Sequence, residues 1–206
     1  MVVFRIVSIL LGYLFGLFPT GVLYGKAHNV DIRSKGSGNS GMTNSLRVLG
    51  WKAGVVVFFG DCLKAVAAMA IIWGVARTRY PDAVKLLELY AGFGAVLGHN
   101  FPFYMKFKGG KGIATTGGVI FAFHWQLGLI CAAVFLIITI ISKYVSLGSI
   151  CMVLIIPFIL YFNNPQDWKL VVVGCIFTAM AIWRHRANIV RLMNGTENKL
   201  GQKVKR

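Results

Sequence analysis

Three polar segments, set between long apolar runs, carry most of the side chains that could do chemistry. The first is Lys35-Gly36-Ser37-Gly38-Asn39-Ser40-Gly41-Met42-Thr43-Asn44. Its glycines permit close backbone approach and positive φ, while Ser, Asn and Thr supply neutral hydrogen-bonding groups, a composition suited to cradling an anion. A plain surface loop has a similar composition. Thr43 or Asn44 is placed to cap a helix beginning near Ser45, which would set backbone N–H groups and Arg47 at an anion-attracting helix start. The second segment runs from Gly98-His99-Asn100 through Gly109-Gly110-Lys111-Gly112 to Thr115. A turn of this kind lets backbone amides converge beside a lysine point charge. Lys106, Lys108 and Lys111 without any acid suggest phosphate, with anchoring to anionic lipid as the competing account. A nucleotide P-loop is excluded, because Met105 and Gly112 stand where that motif needs its first glycine and its hydroxyl residue.

In the third segment, Arg184 to Lys199, helical spacing puts His185, Asn188 and Leu192 on one face with Ile189 alongside. This reads as an amphipathic extension of the last apolar span, ending at Gly195. A lone histidine is usually structural, but His185 and Asn188 together are candidates for chemistry. Within an apolar stretch, Asp61 and Lys64 stand three residues apart. Charge in hydrocarbon is costly, so the pair is expected to face inward near the site. A snorkelling Lys64 with a structural Asp61 is the alternative.

The elements that must position these segments follow from composition. Of 206 residues, 57% are hydrophobic and 14% charged, and the mean hydropathy is +0.70. A soluble domain has roughly 45–50% apolar and about 25% charged residues, so the chain is an integral membrane protein. Its net charge of +16 would also fit a nucleic-acid binder. The basic residues instead fall between apolar runs, which is the membrane pattern and speaks against a nucleic-acid partner. Cys62, Cys131, Cys151 and Cys175 lie singly in apolar stretches and read as reduced packing residues. The first ten residues hold only Arg5 as a charge and lead to no small-residue cleavage site, so a retained span is expected there.

Apolar segments able to cross ~30 Å of hydrocarbon lie near Val2–Gly25, Gly54–Ala76, Leu86–Phe101, Val145–Phe162 and Lys169–Trp183. The stretch Thr115–Ile141 is long for one helix and short for two, and His124-Trp125-Gln126 interrupts it. If it crosses once, basic residues divide nine inside and twelve outside, which favours no orientation. If it turns at His124–Gln126, the division becomes sixteen inside and five outside, with Lys64 within a span. The fold class is therefore an all-α membrane protein of seven transmembrane helices. The fourth and fifth are short, the N-terminus is outside and the C-terminus cytoplasmic, so all three polar segments reach one face. Nothing marks a second domain, and residues 1–206 read as one. Gly12/Gly16, Gly21/Gly25, Gly50/Gly54 and Gly94/Gly98 have the spacing that lets membrane helices approach closely.

Ser-Gly-Asn at 37–39, Gly-Gly-Lys-Gly at 109–112 and His-Arg-x-Asn-Ile at 185–189, in this order, resemble the PlsY family. These are bacterial membrane acyltransferases that join an acyl phosphate to glycerol 3-phosphate. The resemblance extends from Gly12–Lys26 to Gly195-Thr196-Glu197-Asn198-Lys199-Leu200-Gly201, with departures at Leu17, Ser40, Met42 and Ala65. It implies a multi-pass protein of the bacterial plasma (inner) membrane, with catalysis at the cytoplasmic face beside membrane lipid. The products would be lysophosphatidic acid and inorganic phosphate.

The resemblance assigns Ser37 and His185 to the catalytic centre, with Asn188 as a positioning or oxyanion donor. Arg47, Lys111 and the amides of Gly109, Gly110 and Gly112, assisted by Asn39, Thr43 and Asn44, would hold the two substrate phosphates. Asp61 and Lys64 would support the site, and Glu197 would anchor the third segment by pairing with a basic residue of the first two. An acyl phosphate is a mixed anhydride and arrives activated, so no cofactor, metal or covalent acyl-enzyme is called for. The protein must hold both substrates, stabilise the tetrahedral oxyanion and see a proton removed from the glycerol hydroxyl. His185 is one proton acceptor and a substrate phosphate is another. A membrane anion or phosphate transporter is the rival reading, but its expected midplane site is missing apart from Asp61 and Lys64. An HxxxxD acyltransferase is excluded, because Arg33, Tyr104, Leu129 and Val190 follow the four histidines at that spacing.

Overall fold

The computed structural model describes residues 1–202, and those residues contain helices and no strand. They form two compact units that divide at His124. In the first, α1 (Val2–Gly16), α2 (Thr20–Ala27), α3 (Met42–Leu49), α4 (Trp51–Arg79), α5 (Val84–Asn100) and α6 (Ile113–Phe123) follow one another. In the second are α7 (Trp125–Ser142), α8 (Val145–Asn163), α9 (Trp168–Arg184) and α10 (Arg186–Met193).

Four stretches are long and apolar enough to cross a membrane: Val2–Ala27, Trp51–Arg79, Trp125–Ser142 and Val145–Asn163. A fifth candidate is α9 with α10, a pair bent by 59°. Many large apolar side chains on these helices are exposed, among them Leu14, Phe59, Ile137, Ile141, Phe158 and Phe162, as a lipid-facing surface requires.

The first apolar run stands as a candidate span, Val2–Ala27, built from two helices with a break between them. Pro19 has no N–H to continue the ladder, and the chain breaks at Leu17–Pro19 before α2 starts at Thr20. The expected turn near His124–Gln126 is present, but His124 alone is extended, and Trp125 and Gln126 already belong to α7. Of the two helices it separates, only α6 is short: 11 residues at 1.5 Å each reach about 16 Å. The 18 residues of α7 reach about 27 Å, a full span.

In the first unit α1 packs on α5, and glycine permits the contact. A Cβ on Gly12 or Gly16 would lie 1.9 or 2.2 Å from the carbonyl oxygen of Ala91 or Ala95. A Cβ on Gly94 or Gly98 would meet Ile9 or Tyr13 in the same way. The other pairs differ: Gly21 lies under the Ser40 carbonyl, and Gly50, at φ 89°, is the joint between α3 and α4. All four cysteines are unpaired thiols.

Candidate active site

The first polar segment folds around Asn44. This residue is 1% exposed; its Nδ2 donates to the carbonyls of Ile32 (2.9 Å) and Lys35 (3.0 Å), and its Oδ1 accepts from the Ser37 N–H (2.8 Å). Asn39 Oδ1 accepts from the Gly41 N–H at 2.8 Å. Both side chains therefore shape the loop, and Ser37 is left exposed on it. The loop is pinned from below by Ile32, which packs with Val22 of α2 and Met105 of the second segment. The expected cap is displaced: α3 begins at Met42 with Gly41 as its N-cap, so Thr43 and Asn44 sit inside its first turn. Arg47 consequently lies in the last turn of α3, not at its start.

The second segment reverses direction just after α5. A 3₁₀ turn at Phe103–Met105 and left-handed Lys106 and Phe107 bring the chain back on itself. The Gly109 N–H then donates to Asn100 O (3.1 Å) and the Gly110 N–H to His99 O (3.0 Å). Those two amides were expected to converge on an anion, but the backbone acceptors at the end of α5 take them. Gly112, at φ 79°, leads directly into α6, whose first-turn N–H groups have no intrahelical partners and favour negative charge. Lys111 stands between that helix start and the paired glycines. A Cβ on Gly112 would lie 2.8 Å from Asn100 Oδ1, so the turn tolerates no side chain there.

Beneath this turn lies a buried charged cluster. Lys64 Nζ donates to Asp61 Oδ1 (2.8 Å) and to the Phe18 carbonyl (2.9 Å), and it lies 2.8 Å from His99 Nδ1. Thr20 Oγ1 donates to the same Asp61 oxygen at 3.1 Å. Asp61, Lys64 and His99 are 1%, 7% and 8% exposed. The pair thus faces inward, as the cost of charge in hydrocarbon requires, and Lys64 does not snorkel. A small recess beside the cluster is lined by Leu17, Thr20, Ser40, His99, Met105 and Gly109, which joins the α1–α2 break to both polar segments.

In the second unit His185 is the hinge between α9 and α10 and is 2% exposed. Its Nδ1 lies 2.8 Å from the Ala181 carbonyl, which only accepts, so Nδ1 carries the hydrogen and Nε2 is the basic nitrogen of the neutral ring. One turn on, Asn188 Nδ2 donates to Glu197 Oε1 at 2.7 Å. Ser146 Oγ reaches the same oxygen at 2.9 Å, and Arg191 Nε donates to Oε2 at 2.6 Å. Burial raises the Glu197 pKa, but these hydrogen bonds outweigh it and hold the carboxyl below its usual value. Gly195, at φ 68°, ends α10 as its type and position predict. The bonding partners of Glu197 are Asn188 and Arg191 of that same segment with Ser146 of α8, where a basic residue of the first two segments was the expected one.

The whole chain can be set beside known proteins. A family profile described as Glycerol-3-phosphate acyltransferase matches residues 6–195. The glycerol-3-phosphate acyltransferase of Clostridioides difficile (strain 630) is 43% identical over 204 residues, covering 96% of each chain. That of Bacillus subtilis (strain 168) is 44% identical over 193 residues, covering 93% of this chain and 95% of its own. This chain belongs to the glycerol-3-phosphate acyltransferase family. It is an acyltransferase built as a multi-pass membrane protein. Its fold is similar to that of a crystal structure of PlsY, an integral membrane glycerol 3-phosphate acyltransferase, in its glycerol 3-phosphate form: TM-score 0.86, 36% identity, 96% of both chains. The lysophosphatidic acid form gives a TM-score of 0.84 at 36% identity, covering 96% of this chain and 95% of that one.

Family membership displaces the transporter reading. Among the residues singled out in the sequence, Ser37, Asn39, Thr43, Asn44 and Arg47 share one loop and helix, and Asp61 and Lys64 lie under Gly109–Gly112. His185, Asn188 and Glu197 form a second cluster. His99 and Ser146 were missed. The signal for His99 was available: a buried ammonium has three donors, and Asp61 alone cannot satisfy them.

Proposed function

We propose that this acyltransferase moves a fatty acyl group from an acyl phosphate to the sn-1 hydroxyl of glycerol 3-phosphate, releasing lysophosphatidic acid and inorganic phosphate. The reaction runs at the cytoplasmic face of the bacterial inner membrane. Seven crossings, with α5 and the short α6 completing the count, place the N-terminus outside and the C-terminus in the cytoplasm. Sixteen basic residues then belong to the side of the polar segments by sequence, three of them at 203–206 outside the described residues, and they attract two anionic substrates.

The observation that carries this reading is the hydrogen bond from His185 Nδ1 to the Ala181 carbonyl, which orients a basic Nε2. His185 takes the proton of the glycerol hydroxyl as the oxygen attacks the acyl carbon. Phosphate leaves with the electron pair of the broken C–O bond. Asn188, held by Glu197, positions the reacting groups or donates to the oxyanion, and the exposed Ser37 hydroxyl is a further donor. Arg47, Lys111 and the amide of Gly112 with the start of α6 neutralise substrate phosphate. Thr43 assists, and Asn39 and Asn44 do so by building the loop. Gly109 and Gly110 contribute the turn that presents Lys111.

The test is phosphate release by purified protein given palmitoyl phosphate and glycerol 3-phosphate. Release that ignores glycerol 3-phosphate, or lysophosphatidate formed only from an acyl-CoA, rejects the proposal. General-base catalysis supplies about a hundredfold to ten-thousandfold, so His185→Gln should lower turnover by that order. Unchanged turnover across pH in that variant removes the histidine from the mechanism.

A further inference from the structure

The buried cluster of the first unit has a geometry that ordinary helix packing does not require. Lys64 has three donors and three acceptors around it: a carboxylate, a backbone carbonyl and an imidazole nitrogen. His99 Nδ1 is 2.8 Å from the ammonium and 3.5 Å from Asp61 Oδ1. The shorter contact decides the tautomer. An ammonium offers no lone pair, so Nδ1 accepts and Nε2 carries the ring hydrogen. The protonated face of the ring turns to the glycine turn: a Cβ on Gly110 would lie 2.0 Å from His99 Nε2. The backbone of the same residue holds the turn as well, since the Gly110 N–H donates to His99 O. The bare α-carbon of Gly110 therefore rests on an imidazole whose orientation is set by Lys64. Lys64 in turn is tied through Phe18 O, and through Asp61 to Thr20, to the break between α1 and α2.

We propose that His99 is a positioning residue for the substrate-phosphate site at Gly109–Gly112, with Lys64 and Asp61 as the fixed support behind it. It acts through the turn and not on the reacting atoms. Lys111 follows Gly110, so a rotated or withdrawn imidazole shifts the lysine that faces the phosphate. The inference rests on the proposed reading only for what the turn binds; that His99 orients the turn stands on geometry alone.

The two nitrogens of His99 allow a pointed test. His99→Asn keeps an acceptor where Nδ1 faces Lys64, whereas His99→Gln puts its amide near Nε2 and strips Lys64 of an acceptor. Amide hydrogen exchange at Gly109 and Gly110 in purified protein is expected to quicken in His99→Gln and Lys64→Met, and His99→Asn should lie closer to wild type. With palmitoyl phosphate and glycerol 3-phosphate, the KM of one substrate should rise about ten- to a hundredfold in His99→Gln, the order expected for a lost hydrogen bond to a charged group. The other KM and kcat should stay within about threefold, a split that general loosening does not produce. His99→Asn should recover at least part of the KM loss. Should His99→Gln not fold, Gly110→Ala asks the question from the other end: its methyl displaces the ring, and exchange at Thr20 and Gly21 should quicken. Unchanged exchange at Gly109 and Gly110 in His99→Gln, or a fall in kcat as large as the rise in KM in every variant, overturns the proposal. Altered exchange in a protein whose wild type forms no lysophosphatidate leaves the positioning intact and rejects the function.

Discussion

Each unit contains one enclosed carboxylate surrounded by donors, and the two solve different problems. Asp61 sits inside a helix long and apolar enough to span the membrane, and its countercharge Lys64 is as buried as it is. Glu197 sits beyond the end of α10, and its countercharge Arg191 keeps 38% of its side chain exposed. The first cluster joins three parts of the chain that are distant in sequence: the α1–α2 break, the middle of α4 and the end of α5. The second closes a local loop, from Asn188 and Arg191 forward to Glu197, and adds Ser146 at the start of α8. A deeply buried pair holds architecture and cannot lose one member cheaply. A pair at the edge of water holds a helix end and answers to pH.

The largest effect should come from splitting the buried pair. Leaving one charge of such a pair uncompensated costs about 3–5 kcal/mol, so Asp61→Asn should sharply lower the melting temperature of the detergent-solubilised protein. Removing both charges, in Asp61→Asn with Lys64→Met, should recover much of that loss, because well-packed apolar groups replace ion pairs at little cost. The double variant should still show fast amide exchange at Gly109 and Gly110, since His99 has lost its donor. A double variant no more stable than the single would mean that the cluster is not acting as an ion pair.

These clusters also mark where the sequence was readable. The interruption at His124 and the glycine spacing at Gly12/Gly16 and Gly94/Gly98 that permits close helix approach were visible because each depends on local spacing or on a residue type with one physical use. The break at Pro19 was masked because hydropathy averages over a proline inside an apolar run. The start of α3 lies three residues before the expected one because Gly41, which has no capping side chain, is its N-cap. The inward amides of Gly109 and Gly110 depend on acceptors that are backbone carbonyls, and composition does not reveal these. Glu197 finds Arg191 only because the chain turns back at Gly195, a return that charge counting does not see.

At the water-edge cluster, Glu197→Gln keeps an acceptor for Asn188 and Ser146 but removes the charge that Arg191 faces. Hydrogen bonds to charged groups contribute about 1.5–3 kcal/mol, and the stability loss should fall at or below that range. Its pH dependence carries a definite sign. The folded Glu197 pKa lies below its ordinary unfolded value. The stabilisation is therefore complete above that unfolded value and is lost as pH falls through the lowered folded one. The gap between the melting temperatures of wild type and Glu197→Gln should narrow as pH falls from neutral into the acid range. A gap that stays constant there would detach Glu197 from the acid response.

The smallest effect separates redundant from single ties. Thr20 Oγ1 gives Asp61 a neutral hydroxyl bond at 3.1 Å, but Lys64 already holds both Asp61 and the neighbouring Phe18 carbonyl. Thr20→Val conserves volume and removes only that bond, so with Lys64 still holding Asp61 it should cost no more than the low end of the about 1.5–3 kcal/mol of a bond to a charged group and leave exchange at Gly109 and Gly110 nearly unaltered. Ser146 Oγ makes the same kind of bond to Glu197 at 2.9 Å, and it is the side chain through which α8 joins that carboxylate. Ser146→Ala should therefore destabilise more than Thr20→Val, although both delete one hydroxyl from one carboxylate. Melting curves of the two variants decide it. If Thr20→Val proves the costlier, the buried cluster depends on every donor it has, and the redundancy attributed to Lys64 is wrong.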